Sequence, residues 1–209
     1  PEIFCAVPRI MEKLFDAIMA KVRDLKGLRK LLFFKALAIG QMYEPYRSFS
    51  WTYQLQLFVM RKLVFSKWHE ALGGNLVSIV SGGASLNPRI ARILWAAGFK
   101  IMEGYGLTET SPVIAVSNFL HGGVKIGTVG PVLPGVEIKF ADDGEILVRG
   151  PNVMLGYYNR PDRTAEVIDK EGWLHTGDIG RMIDKKFLQI TDRKKEIFKT
   201  SGGKYIAPQ

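Results

Sequence analysis

Three stretches in the first third of the chain carry apolar side chains three to four residues apart, the spacing of one helix face. The first covers residues 10–19 and follows Pro8, whose missing amide is harmless at the start of a helix. The second covers 25–39 and the third covers 54–68. The pattern therefore predicts that residues 9–70 are mostly helical.

The pattern changes to alternating short strands and a helix after residue 73. Residues 76–80, apolar except for Ser78, are predicted to form a short buried strand, and the turn 81–84 follows it. A helix is predicted over 88–97, ending at Gly98, and a second strand over 100–103. In open parallel sheets ligands bind beyond the carboxyl ends of the strands, which is where the glycine turns 81–84 and 104–106 fall.

From residue 113 onward the chain consists of short β-like runs separated by turns that contain glycine and proline. Such spacing suggests a small barrel or sandwich. One helix, predicted over 161–168, interrupts the strands. The predicted strands are 113–116, 127–129, 137–140, 145–148 and 187–190.

Charge is unevenly distributed. The formal net charge is +9, and residues 1–70 carry 12 Lys and Arg against 6 Asp and Glu. A basic excess suits anionic partners such as ATP, CoA, a membrane surface or nucleic acid. For 1–70 solvated helix faces are the simpler explanation. The stretch from Arg29 to Ala38 also fits an interfacial membrane helix, or packing against another part of the protein.

The single cysteine, Cys5, excludes a disulfide within the chain, and no Cys/His zinc spacing is present. A reducing compartment is therefore expected, and the protein is predicted to be cytoplasmic. No signal peptide is visible, and no apolar run reaches the roughly 18 residues that a spanning helix needs. The chain begins without methionine and ends within a pattern, so we expect a piece of a longer protein.

The turn Gly104-Tyr105-Gly106 is the sharpest chemical signal. Such a turn leaves backbone amides free to bind an anion, and Tyr105 offers a ring for stacking. Thr108 adds a hydroxyl for a phosphate, and Glu109 adds a hard oxygen for Mg²⁺. The same residues fit a capped helix start, with Thr108 as the cap and Glu109 favourable to the helix dipole. The two interpretations are compatible.

Three weaker signals accompany this turn. The glycines of 81–84 let the backbone approach a flat ligand closely, although a plain tight turn needs them too. Asp178, between small residues, can accept hydrogen bonds from two hydroxyls of a ribose, or it can be an ordinary turn residue. Arg193 offers a rigid fork of donors, or belongs to a solvated basic segment. His175 is interpreted as structural, since no partner for it is evident.

In their order along the chain these runs resemble the AMP-forming acyl-CoA synthetases of the adenylate-forming superfamily, and the resemblance covers nearly the whole chain. Residues 7–13 are similar to a segment of the long-chain fatty acid members, a less specific match. The stronger matches are 104–110 to the Tyr-Gly-x-Thr-Glu motif, 144–150 with 156–158 to the Gly-Glu-Leu…Gly-Tyr motif, 173–178 to the Thr-Gly-Asp motif and 192–199 to the hinge motif.

The resemblance implies roles for individual residues. The nucleotide would be bound by Gly83, Ala84, Glu103, Gly104 and Tyr105 around the adenine, by Thr108 at a phosphate, and by Asp178 and Arg193 at the ribose, with Gly106 as a further nucleotide-binding residue. Glu109 would hold Mg²⁺, Lys195 would be the hinge, and Lys199, Gly202 and Gly203 would belong to the loop associated with CoA. The residues expected to act in catalysis are Thr108, Glu109 and Lys195.

The implied fold is α/β: part of an adenylate-forming large domain, in which an α/β parallel-sheet subdomain is followed by a β-rich, barrel-like subdomain. The predicted bounds are 1–112 for the first, 113–190 for the second, and 191–209 for the hinge and the start of a further domain. The implied reaction is a long-chain fatty acid–CoA ligation. A fatty acid and ATP form an acyl-adenylate, and CoA then forms the thioester.

The implied partners are fatty acid, ATP, Mg²⁺ and CoA, without nucleic acid and with peripheral contact at the inner face of a membrane as an option. The family's phosphate loop would precede Pro1 and its adenylation lysine would follow Gln209, so we expect this piece alone to be inactive. The alternatives are a ligase for an aryl or medium-chain acid, an amino-acid adenylation domain, and a basic non-catalytic module that binds membranes or nucleic acid. Chain length and oligomeric state stay open.

Overall fold

The computed structural model describes residues 1–119 and 122–194, and the backbone alone of 198–199 and 205–206. The chain divides into two compact units. The first comprises 1–103 and 118–127, and the second comprises 104–117 and 128–209. The domain bounds inferred from the sequence, at 112 and 190, stay a prediction.

The first unit contains a parallel sheet formed by β1 (Ile3–Ala6), β2 (Ser78–Ser81) and the beginning of β3 (Lys100–Tyr105). The prediction of parallel strands separated by a helix is confirmed for β2 and β3. The sequence pattern did not reveal β1, because four residues are too few to establish a period.

Five α-helices belong to the first unit, and the predicted helical character of 9–70 is confirmed for most of that segment. Within the described ranges no helix has both the length and the apolar character needed to cross a membrane. The helices are α1 (Pro8–Val22), α2 (Gly27–Gln41), α3 (Trp51–Met60), α4 (Ser66–Ala71) and α5 (Pro88–Ala97), with a π-helical turn Arg61–Phe65 between α3 and α4.

Helix α5 shows how local sequence sets the ends of an element. The Asn87 side chain accepts a hydrogen bond from the Arg89 amide at 2.9 Å, and Pro88 occupies the first turn. Gly98 ends the helix with φ of 103°, the left-handed conformation that glycine adopts without strain. The predicted span and cap are confirmed.

The helices and the sheet of the first unit enclose one apolar core, whose buried members include Phe65, Ile93 and Phe99. Small residues let α2 approach α5: a Cβ added at Gly40 would lie 3.4 Å from Ile93. Dense packing of this kind makes apolar burial the main stabilising contribution in this unit.

The second unit is built from antiparallel strands. The last two residues of β3 pair with β4 (Ala115–Val116), and a separate sheet has the order β5-β6-β7-β8. Its elements are β5 (Glu137–Phe140), β6 (Glu145–Arg149), α6 (Pro161–Val167), β7 (Leu174–Ile183) and β8 (Phe187–Arg193), followed by the pair β9 (Phe198–Lys199) and β10 (Tyr205–Ile206).

The predicted succession of a parallel sheet and a β-rich part is therefore confirmed, with two local differences. Residues 127–129 do not form the predicted strand, because Gly127 has φ of 82° and the chain turns there. Strand β7 extends over ten residues, where the sequence pattern predicts no strand. A small core of Ile114, Ile146 and Leu188 supports this unit.

Candidate functional site

Three of the predicted site residues meet in the second unit: Tyr105, Asp178 and Arg193. The Tyr105 hydroxyl donates a hydrogen bond to Asp178 Oδ2 at 2.8 Å, and Arg193 Nε lies 3.4 Å from Asp178 Oδ1. Asp178 and Arg193 are direct partners of the β7–β8 ladder. Burial, reinforced by the Asp178 carboxylate, raises the pKa of Tyr105. The phenol therefore stays protonated and donates.

The Asp178 side chain is only 11% exposed, whereas Arg193 is 60% exposed. Thr176 holds the local backbone: its hydroxyl donates to the Ile146 carbonyl at 2.8 Å and accepts from the Asp178 amide at 3.1 Å. The alternative that Asp178 is an ordinary turn residue is wrong, since it lies in β7. The result is a fixed carboxylate beside a more mobile guanidinium.

A second carboxylate, Glu145, was not predicted as a site residue. Its side chain is 5% exposed, and Oε1 accepts from the Gly177 amide at 2.9 Å. Oε2 accepts from Lys194 Nζ at 2.8 Å and lies 3.3 Å from His175 Nδ1. Lys194 also contacts Asp143 at 2.7 Å. The expectation that His175 has no partner is wrong.

The charge state of Glu145 follows from these contacts. Burial by itself raises the pKa of its carboxyl, but the hydrogen bonds from Lys194, Gly177 and His175 together lower it below the ordinary value. Hydrogen bonds to Asp143 and Glu145 raise the pKa of Lys194. Glu145 and Lys194 therefore form an ion pair at neutral pH. No sequence signal joins residues that are 49 positions apart.

Glu109 lies in the single 3₁₀ turn Thr108–Thr110, and its carboxylate accepts a hydrogen bond from the Tyr157 hydroxyl at 2.8 Å. That bond, with a smaller effect of burial, raises the pKa of Tyr157. The expectation that Thr108 caps this turn is wrong. Thr110 does so, because its hydroxyl accepts from the Leu107 amide at 2.9 Å. Thr108 stays exposed.

Gly106 has a packing reason for being glycine. A Cβ at this position would collide with the Pro112 carbonyl oxygen, so no other residue fits without moving the backbone. Asn152 stabilises the same loop by donating to the carbonyls of Thr110 and Val113, at 3.2 and 2.9 Å. The loop that carries Glu109 is therefore fixed by the close packing of Gly106 against Pro112 and by the hydrogen bonds from Asn152.

A cleft of about 580 Å³ opens in the second unit, within the range of small-molecule sites. Its walls carry charges of both signs. Across the described residues, no cluster of three His, Cys, Asp or Glu side chains is arranged to hold a metal ion. The lining includes Glu109, Tyr157, Glu145, His175, Arg193 and Lys194.

Gly83, Ala84 and Glu103 belong to the first unit. Gly83 has φ of 84°, and nothing lies within 4 Å of a Cβ placed there, so the turn leaves open space. Glu103 accepts a hydrogen bond from the Leu86 amide at 3.4 Å, and burial raises the pKa of its carboxyl to about 7. Its ladder partner, Ser81, has a buried hydroxyl without a hydrogen-bond partner among the described atoms.

Some predicted residues cannot be placed. Lys195, Gly202 and Gly203 lie outside the described residues. Lys199 lies in β9, but only its backbone is described. The hinge role of Lys195 and the CoA-loop role of the other three stay predictions.

Residues 1–158 match the model of the AMP-binding family, described as AMP-binding enzyme. The long-chain-fatty-acid–CoA ligase FadD15 of Mycobacterium bovis is 49% identical over 150 residues, which are 72% of this chain and 24% of the relative. The peroxisomal long chain acyl-CoA synthetase 7 of Arabidopsis thaliana is 38% identical, over all of this chain and 31% of that protein. This chain thus spans less than a third of the length of these curated relatives.

Solved structures agree with the sequence relatives. The o-succinylbenzoate CoA synthetase of Bacillus subtilis, in complex with its acyl-adenylate intermediate, is similar with a TM-score of 0.58 and 31% identity. The similarity covers 69% of this chain and 32% of that one.

Proposed function

Because this chain belongs to the AMP-binding enzyme family, we propose that it is part of an AMP-forming long-chain fatty acid–CoA ligase. The full-length enzyme would join a fatty acid to ATP, forming acyl-adenylate and releasing pyrophosphate. The CoA thiol would then attack the acyl carbonyl and release AMP. The observation that carries the proposal is the meeting of Tyr105, Asp178 and Arg193 in one hydrogen-bonded group.

The Asp178 carboxylate would bind the ribose. Each carboxylate oxygen has two lone-pair sites, so Asp178 keeps acceptor capacity beyond the bonds from Tyr105 and Arg193. The exposed Arg193 guanidinium has spare donors for a ribose or phosphate oxygen. Since burial of Asp178 limits its movement, the hydroxyls of the sugar would meet a preorganised acceptor.

Glu109 would hold Mg²⁺. Mg²⁺ is commonly bound by one or two carboxylates together with substrate phosphates, so a single glutamate beside Thr108 fits the ion. The Tyr157 hydroxyl orients the Glu109 carboxylate and leaves its second oxygen available. When bound, the ion would neutralise charge on the triphosphate. Thr108, exposed beside it, would contact a phosphate.

As the resemblance implies, the turn at Gly83 and Ala84 and the Glu103 side chain, all in the first unit, would contact the adenine. Support comes from the open space beyond Gly83, where a flat ring can approach the backbone. Glu103, with its pKa raised to about 7, is partly protonated at neutral pH and can donate to a base nitrogen. The roles of Lys195 at the hinge and of Lys199, Gly202 and Gly203 near CoA rest on the resemblance.

Peripheral contact with an anionic membrane is a second, weaker proposal. Helix α2 exposes Leu28 at 68% and Leu31 at 66%, beside the cations Arg29 and Lys30. Apolar side chains next to cations are what an interfacial helix requires. Sedimentation with anionic vesicles would test it on the full-length protein. A Leu28→Asp/Leu31→Asp variant should lose vesicle binding and keep activity, and binding unchanged by it would contradict the proposal.

The decisive experiment is acid-dependent pyrophosphate exchange by the full-length parent, with palmitate, octanoate, benzoate and amino acids as competing substrates. Glu109→Ala and Asp178→Ala should each lower the rate of palmitate-dependent exchange by a factor of roughly 10² to 10³. Glu137→Gln, an exposed carboxylate on β5, is the matched control and should exchange normally. Exchange with a different acid would support adenylate formation but contradict the long-chain fatty acid as the substrate. No exchange with any acid by the folded protein would contradict the proposal.

A further inference from the structure

The pairing of β7 with β6 is interrupted at the predicted site residue Asp178. In the β6–β7 ladder Leu147 pairs with His175 and Glu145 pairs with Ile179, so the one residue of β6 between these pairs faces three residues of β7. Residues 176–178 therefore have no regular partners on β6. Such a bulge redirects side chains but leaves backbone groups without their ladder hydrogen bonds.

Two side-chain groups replace the missing ladder bonds. The Gly177 amide donates to Glu145 Oε1 at 2.9 Å, and the Thr176 hydroxyl donates to the Ile146 carbonyl at 2.8 Å. Gly177 has φ of 71°, a left-handed conformation that glycine adopts without strain. Glu145 thus fixes the backbone one residue before Asp178.

The same carboxylate reaches the neighbouring strand. Its other oxygen accepts from Lys194 Nζ at 2.8 Å, and Lys194 directly follows Arg193. The β7–β8 ladder shifts between Ile179 and Gly180, so backbone pairing is irregular on this side as well. One buried carboxylate therefore fastens both chain segments that carry the predicted ribose ligands, Asp178 and Arg193.

We propose that Glu145 is a positioning residue for the ribose-binding pair Asp178 and Arg193. The inference rests on the proposed function, because it assigns Glu145 a task only if that pair binds a nucleotide. Glu145 itself makes no contact with the ribose. It acts through the Gly177 amide and the Lys194 ammonium, which set the position of the bulge and the end of β8.

The expected consequence is selective. Without Glu145 the bulge loses the acceptor of the Gly177 amide, so Asp178 is less preorganised for the sugar hydroxyls. Because Glu145 acts on the sugar site only through Gly177 and Lys194, the expected loss is roughly tenfold in apparent affinity. The KM for ATP should rise, kcat should change much less, and discrimination between ATP and 2′-deoxy-ATP should weaken.

The test uses the full-length parent in acid-dependent pyrophosphate exchange. Glu145→Ala should raise the KM for ATP about tenfold and lower the ATP to 2′-deoxy-ATP preference by a similar factor. Glu145→Gln, which keeps an oxygen for the Gly177 amide, should show a smaller effect even if the alanine variant folds poorly. Glu137→Gln removes a surface carboxylate from the same sheet and should match wild type.

A double-mutant cycle separates positioning from general damage. In an Asp178→Asn background, Glu145→Gln should have little further effect on the ATP preference, because both changes disable the same contact. Additive effects, or an equal fall in kcat for both nucleotides with the preference intact, would overturn the inference. If wild type neither exchanges pyrophosphate nor binds AMP by calorimetry, the proposed function fails and this inference fails with it. If wild type exchanges and the Glu145 variants match it, only this inference fails.

Discussion

Two carboxyls, a half-buried one in the first unit and a buried one in the second, behave in opposite ways. Glu103 accepts one amide hydrogen bond, at 3.4 Å, and its pKa is raised to about 7. Glu145 accepts from Gly177 and Lys194 and contacts His175, and its pKa is lowered. Glu145 has the less accessible side chain, whereas Glu103 is only half-buried by surface but densely surrounded by protein.

The difference shows that accessibility alone does not decide the charge of a carboxyl. Burial disfavours the charged form in both places, and the outcome depends on how many donors compensate. Among the residues that the structure describes, Glu103 has one hydrogen-bond donor, the Leu86 amide. The bulged antiparallel sheet supplies an amide, an ammonium and an imidazole for Glu145. We expect the stability of the region around Glu103 to fall as pH rises. The stability of the region around Glu145 should fall when the Glu145 carboxylate is removed.

The largest effect should come from replacing Glu145 with leucine. The substitution leaves the Gly177 amide without an acceptor and Lys194 with Asp143 alone, which should destabilise the protein by about 3 kcal/mol. Urea denaturation of the full-length protein measures this. The control Glu137→Leu breaks an exposed ion pair with Arg149 and should cost less than about 1 kcal/mol. Equal losses in the two variants would erase the contrast between buried and exposed carboxylates.

A somewhat smaller effect is expected for Glu103→Gln, and it should depend on pH. The folded carboxyl, with a pKa of about 7, holds a proton that the unfolded chain releases near 4.5. Wild-type stability should therefore fall as pH rises between these values, while the variant lacks this slope. Between pH 4.5 and a pH above 7, the unfolding free energy of the variant should rise by about 2–3 kcal/mol relative to that of wild type.

Urea midpoints measured from pH 4.5 to 8 would check this prediction. Glu70→Gln, at an exposed carboxylate of the same unit, is the matched control and should run parallel to wild type. If the Glu103→Gln profile also runs parallel to wild type, burial does not raise the pKa of Glu103 and the comparison with Glu145 breaks.

The smallest effect is expected at the partly exposed carboxylate Glu109. Tyr157→Phe removes one solvent-exposed hydrogen bond and should change the unfolding free energy by about 0.5 kcal/mol. Conversely, Glu109→Gln should lower the pKa of Tyr157 toward its ordinary value, since the hydrogen bond to that carboxylate is what chiefly raises it. Absorbance titration of the phenol follows this shift, and an unchanged titration would contradict the contact.

Prediction succeeded where short-range physics decides the outcome. Helical spacing of apolar residues indicated α1, α2 and the segment that contains α3 and α4, and Pro88 and Gly98 indicated the ends of α5. It failed where local signals are short or misleading. The four residues of β1 show no period, Gly127 turns a predicted strand, and Thr110 rather than Thr108 caps the turn that carries Glu109.

The sequence by itself determined the α/β order of elements, the glycine turns and the family motifs, because these depend on neighbours a few positions apart. Only the tertiary structure decided which groups meet. Tyr105 reaches Asp178 across 73 positions, and Lys194 reaches Glu145 across 49. Local periodicity contains no information on such pairs, since strand pairing and the bulge in β7 bring the donors and acceptors together. The ionisation of Glu103 and Glu145 follows from those contacts and is therefore a property of the folded chain.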